Sequence, residues 1–107
     1  GGAYGCFIFP LKGIFLIVVT VLGKRFFRLA GNLIGGFVGI VLKEKEEGWK
    51  VSLRSNSVNV QEICGYFGGG GHIRAAGCTI KTADVEEAKK LIKEEVAKAI
   101  EELLKKR

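Results

Sequence analysis

Hydrophobic and polar residues alternate in ways that predict three strands in the first half of the chain. Residues 13–22, GIFLIVVTVL, form a dense β-branched run that is typical of a buried strand. Residues 49–55, WKVSLRS, alternate strictly, which puts Lys50, Ser52 and Arg54 on the polar side of a half-buried strand. Residues 37–43 have the composition of another strand, and together with 49–55 they predict a hairpin.

Other segments carry apolar residues at helical spacing. Residues 24–34 fit one helix, and residues 60–67 fit a second whose cap comes from the segment Asn56–Asn59. A long amphipathic helix begins after Asp84, and its apolar stripe consists of Val85, Ala88, Ile92, Val96, Ala99 and Leu103. Between them, residues 72–76 predict a short turn of helix and residues 77–81 a buried strand.

The order of these elements predicts an α/β fold. We expect a mixed β-sheet covered by helices, with the long amphipathic helix at the C-terminal end. Two regions are predicted: an atypical apolar N-terminal segment at residues 1–24, expected to be a strand, and a domain at residues 25–107.

The apolar N-terminal segment leaves a membrane anchor open as the less favoured alternative. The run at 13–22 is shorter than the roughly 20 apolar residues of a membrane span, and Pro10 and Lys12 interrupt it upstream. Its basic residues follow the run, whereas those of a signal peptide precede it. A buried strand or an interface, including a homodimer interface, is the preferred interpretation.

Charge and cysteine content bear on the partner and the compartment. The net charge is +6, and the last 25 residues balance seven basic against seven acidic side chains, so the excess lies upstream of the final helix. This distribution favours a polyanionic partner, although it is also compatible with a simple solubility margin. The odd set Cys6, Cys64 and Cys78 argues against a disulfide framework and for a reducing, cytoplasmic location.

A catalytic metal centre is not expected within this chain. It contains one aspartate, Asp84, and one histidine, His72. Two-metal phosphoryl chemistry requires several carboxylates and imidazoles that converge on ions about 4 Å apart. We therefore expect no metal-ligating and no catalytic residues here.

Residues 68–77, GGGGHIRAAG, carry the most informative pattern. Consecutive glycines allow backbone N–H groups to turn toward a bound anion, and an imidazole and a guanidinium follow directly at His72 and Arg74. The run fits neither a P-loop nor a GxGxxG motif. A flexible glycine hinge with an exposed histidine is the alternative for this run, as a plain surface arginine is for Arg54.

Together, SLRS at 52–55 and GGGGHIRAAG at 68–77, separated by a short helix and followed by the strand GCTI, resemble a known family. They are similar to the C-terminal DHH-associated domain of DHH-family phosphoesterases, in the oligoribonuclease and pAp-phosphatase branch. The resemblance covers about residues 25–104. A related domain ends alanyl-tRNA synthetases, but the glycine motif here looks more like the phosphoesterase form.

The resemblance implies a substrate-binding role. Arg54 and Ser55 would bind a phosphate or sugar, Gly69, Gly70 and Gly71 would present backbone to it, and His72 would contact a phosphate or base. Arg74 lies at a variable position of the motif.

The implied ligand is a nucleotide or short single-stranded nucleic acid. The manganese-bearing catalytic DHH domain would lie outside these residues, since no Asp-His-His motif is present. Two alternatives remain open: an assembled enzyme in which a partner chain supplies the metal, and a membrane-attached or protein-interaction module.

Overall fold

A computed structural model describes residues 3–22 and 36–105. Its elements are, in order, β1 (Ala3–Leu11), β2 (Ile14–Leu22), β3 (Gly36–Lys45), β4 (Gly48–Ser55), α1 (Val60–Tyr66), β5 (Gly70–Gly71), β6 (Ala75–Ile80) and α2 (Val85–Lys105). The strands form one six-stranded sheet in the order β1-β2-β3-β4-β6-β5. The α/β fold and the long C-terminal helix are confirmed.

The sheet is antiparallel throughout its described strands, so the expectation of a mixed sheet was wrong. Two-residue turns join β1 to β2 and β3 to β4, and such turns enforce antiparallel pairing. Helix α1 does connect two strands that run in the same direction, β4 and β5. However, β6 lies between them and pairs with both.

Both helices contribute to one hydrophobic core on one face of the sheet. Buried side chains of β3 and β4 pack with those of both helices, among them Ile40, Leu42, Val51, Leu53, Val60, Ile63, Ile92, Val96 and Ile100. We call this side the core face. The opposite side, called the open face, has exposed side chains at Lys50, Ser52 and Arg54, as the alternation in WKVSLRS predicts.

Several local predictions can be compared with these elements. The run at 13–22 is strand β2, and residues 37–55 form the predicted β3–β4 hairpin. Asn59 caps α1, because its Oδ1 accepts a hydrogen bond of 3.1 Å from the N–H of Glu62. Residues 72–76 are not helical, since 72–74 connect β5 to β6 and residues 75 and 76 begin β6. The helix predicted at 24–34 lies outside the described residues.

The N-terminal segment, expected to be one strand, forms the two strands β1 and β2. β1 pairs with β2 along its whole length, and β2 pairs with β3, so the hairpin continues the same sheet. Pro10 argued against a strand at these positions in the sequence. A proline is nevertheless tolerated on an edge strand, where its missing N–H leaves no hydrogen bond of the sheet unmade. Among the described residues, no helix is long and apolar enough to span a membrane.

Candidate functional site

Arg54 and His72 lie on the open face in one row across the sheet. Arg54 on β4 pairs with Ala75 on β6. Ala75 and His72 exchange two backbone hydrogen bonds: His72 N–H donates to Ala75 O at 2.7 Å and Ala75 N–H donates to His72 O at 3.2 Å. Because directly paired residues point to the same side of a sheet, both exposed side chains flank Ala75.

Small residues form the floor beside this row. In the next row, Ser52 pairs with Gly77, and Gly77 pairs with Gly70. On the β3 side, Gly39 is the partner of Arg54. The floor between the two basic side chains is therefore almost bare backbone, which a planar or anionic ligand can approach closely.

The first two glycines of the run end helix α1. Gly68 has φ +85°, and its N–H donates to Gly65 O at 3.0 Å, while the N–H of Gly69 donates to Cys64 O at 2.7 Å. These two bonds define a Schellman motif, in which a left-handed glycine satisfies the last carbonyls of a helix. The glycines thus have a structural role that the sequence interpretation did not assign to them.

Gly69, Gly70 and Gly71 differ sharply in the space available for a side chain. A Cβ on Gly69 would collide with Gly77 O and would lie 2.7 Å from Cys78 Cβ. Gly71 has φ +144°, and a Cβ there would lie 2.7 Å from Ala75 O. A Cβ on Gly70 would meet nothing within 4 Å. Only at Gly70, therefore, does the fold itself permit a side chain.

The expected cradle of backbone amides is mostly not formed. The N–H groups of Gly68, Gly69 and His72 already donate to carbonyls of the fold. The His72–Ala75 pair is hydrogen-bonded, so the alternation of an antiparallel ladder directs the backbone of Gly71 toward the outer edge. Consistent with this, Gly71 O accepts a hydrogen bond of 2.8 Å from Gln61 Nε2.

The backbone of the β5–β6 turn is anchored to its neighbours. Arg74 O accepts a hydrogen bond of 3.1 Å from the N–H of Ser55, and Ile73 O accepts one of 3.0 Å from the N–H of Val60. These bonds fix the turn against the end of β4 and the start of α1. The exposed side chain of Arg74 therefore stands at the same corner of the sheet as Arg54.

Ser55 is placed differently from the other predicted site residues. It points to the core face and is only 5% exposed. Its hydroxyl donates to Phe37 O at 2.8 Å and accepts from the N–H groups of Ser57 and Val58 at 3.1 and 2.9 Å. Through these three bonds, the hydroxyl holds the loop after β4 against β3.

The charged residues of the open face are all basic. Every charged position that the strand registers place on this face of the described strands is basic: Lys43, Lys45, Lys50 and Arg54. Lys43 and Lys50 were not predicted as site residues. The alternation in WKVSLRS could have identified Lys50, because it places Lys50 on the same side of the strand as Arg54. Lys43 lies on that side because it is the cross-strand partner of Lys50.

The described residues contain no cluster of three or more His, Cys, Asp or Glu side chains that could hold a metal ion. The three cysteines are free. A hydrogen bond to Cys64 and burial hold the pKa of Cys78 well above its ordinary value, so this thiol stays neutral. The described residues therefore do not fit a manganese centre.

The chain belongs to the DHHA1 domain family, whose model matches residues 21–98. It is thus a DHH-associated domain. It is 44% identical over 63 residues to the bifunctional oligoribonuclease and PAP phosphatase NrnA of Thermus thermophilus, which is 58% of this chain and 19% of that protein. The Mycoplasma pneumoniae protein of the same name is 42% identical over 41 residues, or 38% of this chain and 13% of that protein.

These relatives confirm the resemblance to the oligoribonuclease and pAp-phosphatase branch. The chain spans less than a fifth of the length of both proteins. No solved structure matches the chain.

Proposed function

We propose that the open face of this domain binds a nucleotide or a short single strand of nucleic acid through its phosphate. The observation that carries the proposal is the row formed by Arg54, Ala75 and His72, which sets two basic side chains beside a floor of bare backbone. A guanidinium binds phosphate oxygens in a bidentate manner, and an imidazole can donate to a phosphate or to a base edge.

Each predicted site residue has a place in this proposal. Arg54 and His72 contact the phosphate, and Arg74 adds a second guanidinium at the same corner. Gly70 allows the ligand to reach the backbone, whereas Gly69 and Gly71 are required by the approach of β5 to β6. Ser55 positions the end of β4 and does not touch the ligand.

In this proposal, the residues that cleave the substrate lie outside this chain. The two relatives are named as oligoribonucleases and PAP phosphatases. As the resemblance to DHH-family phosphoesterases implies, a manganese-bearing DHH catalytic domain would act on a substrate that this domain holds. Addition of manganese and a nucleotide to the pure chain is accordingly expected to give no hydrolysis.

Arg54→Ala is expected to weaken binding of a short RNA about tenfold, which corresponds to about 1.4 kcal/mol. The guanidinium is exposed and makes no ion pair among the described residues, so its loss should not affect folding. Titration of a labelled ribo-oligonucleotide by fluorescence anisotropy measures the change.

Lys90→Ala is the control, since it removes one exposed cation from α2, in the layer on the other side of the sheet. It is expected to bind as the wild type does. Equal affinity of the Arg54 variant and the wild type would contradict the assigned site.

A second candidate, a protein-interaction module, is favoured by the apolar part of the open face. Phe37 is 42% exposed, and Leu16, Val18 and Val41, which lie on the same face, are only half-buried. If this region mediates homodimerisation, light scattering should give a mass of twice 11.6 kDa at micromolar concentration. A monomer that binds RNA would favour the first candidate.

A further inference from the structure

Two lysines face each other on the open face. Lys43 on β3 and Lys50 on β4 are direct cross-strand partners, on the same side of the sheet as Arg54. Like charges directly opposite each other destabilise a sheet. An anion bound between the two ammonium groups would remove this repulsion.

Their surroundings do not neutralise them. Among the described residues, the ion pairs Lys89–Glu86 and Lys98–Glu95 both lie within α2, and neither includes Lys43 or Lys50. Glu44 follows Lys43 but pairs with Trp49, which places it on the core face. Glu46 and Glu47 form the β3–β4 turn, beyond the ends of both strands.

A groove continues from Lys50 along the edge of β6. It has a volume of about 590 Å³ and is lined by Lys50, Phe67, Gly68, Gly69, Gly77, Cys78, Thr79 and Lys81. Lys81 also borders a second groove, which contains the three glutamates of the β3–β4 turn region. The groove at Lys50 therefore has two cations and no carboxylate in its lining.

The edge of β6 adds backbone hydrogen-bonding groups to this groove. Strand β5 begins at Gly70, opposite Gly77, so no described strand pairs with the part of β6 that follows Gly77 on this side. The ladder alternation that directs the Gly77 backbone toward β5 also directs the N–H and C=O of Thr79 toward the groove. A donor and an acceptor side by side suit the edge of a nucleobase.

We propose that Lys43, Lys50 and Lys81, with the β6 edge at Thr79, form a second anion subsite that takes a further phosphate of an oligonucleotide. This inference rests on the proposed function, since Arg54 and His72 hold the first phosphate. Lys50 and Arg54 are four residues apart on one strand, about 13 Å between their Cα atoms. A mononucleotide held at Arg54 therefore does not engage the lysines, whereas an oligonucleotide that follows the open face does.

The test compares wild type and Lys43→Gln/Lys50→Gln with 5′-AMP and with riboadenylates of two and five nucleotides. In the wild type, affinity should rise with length. The double variant should bind the pentanucleotide about tenfold more weakly and bind 5′-AMP unchanged. The slope of log affinity against log salt for the pentanucleotide should fall by about 1.4, the value for two lost contacts to a single strand.

Lys90→Gln/Lys105→Gln is the matched control, since it removes two exposed positive charges from α2. It is expected to keep the wild-type length dependence. The Lys43/Lys50 variant should also unfold at the same or a higher urea concentration than the wild type, because a repulsive pair has been removed.

The outcomes separate this subsite from the proposed function. If Arg54→Ala weakens all ligands while Lys43→Gln/Lys50→Gln behaves like the α2 control, the second subsite is overturned and the proposed function stands. If the wild type binds none of the three ligands, both are overturned.

Discussion

Gly69→Ala is expected to destabilise the fold by about 3 kcal/mol or more, which should lower the urea midpoint substantially. The added Cβ would collide with Gly77 O and would lie 2.7 Å from Cys78 Cβ and 2.8 Å from Cys78 Cα. Gly77 O and Cys78 Cα are backbone atoms of β6, and Cys78 Cβ is the first side-chain atom of the same strand. Strand β6 is itself held in place by its pairing with β4 on the other side. No flexible side chain is available to move away, so the clash must shift a strand.

Gly70→Ala provides the matched control at the neighbouring position. A Cβ there meets nothing within 4 Å, and Gly70 does not have a positive φ. Its stability should therefore stay within about 0.5 kcal/mol of the wild type, or rise slightly because alanine restricts the unfolded chain. The methyl group would nevertheless stand on the floor beside His72, so RNA affinity should fall.

The pair of variants distinguishes two reasons for the glycine run. If Gly69→Ala unfolds at the wild-type urea concentration, the packing of β5 against β6 described above is incorrect. If Gly70→Ala binds RNA as tightly as the wild type, the ligand does not approach the backbone at this position.

The sequence predicted the exposed face on which Arg54 lies better than it predicted how the candidate site is built. Strict alternation in residues 49–55 places Arg54 on an exposed face, because side chains alternate in any strand. That Arg54 and His72 share a row depends on the register between β4, β6 and β5, which is a long-range property. The exclusion of side chains from Gly69 and Gly71 likewise depends on contacts with β6, which spacing along the chain does not reveal.

Two expectations drawn from local sequence patterns differ from the arrangement in the structure. The order of predicted strands and helices suggested a mixed sheet, and nothing in the sequence shows that β6 lies between β4 and β5 and pairs antiparallel with both. Ser55 follows Arg54 in a motif that resembles a substrate-binding one. Its position in the strand, however, is one residue out of phase with Arg54, so its side chain enters the core face.

Ser55→Ala is expected to lower the free energy of unfolding by about 2–3 kcal/mol. The lost hydroxyl would leave the N–H groups of Ser57 and Val58 without their acceptor and the carbonyl of Phe37 without its donor. Buried polar groups that lose their partners cost more than a hydrogen bond contributes on average, and the bond to Val58 is buried. Urea unfolding of the purified chain measures the loss.

Ser52→Ala is the control for this variant, because Ser52 lies on the same strand but is exposed on the open face. Its stability should be within about 0.5 kcal/mol of the wild type. RNA affinity of folded Ser55→Ala should stay within about twofold of the wild type, since the hydroxyl faces away from the proposed ligand. A Ser55 variant that keeps its stability but loses RNA binding would instead mean that the hydroxyl leaves its three partners to contact the phosphate.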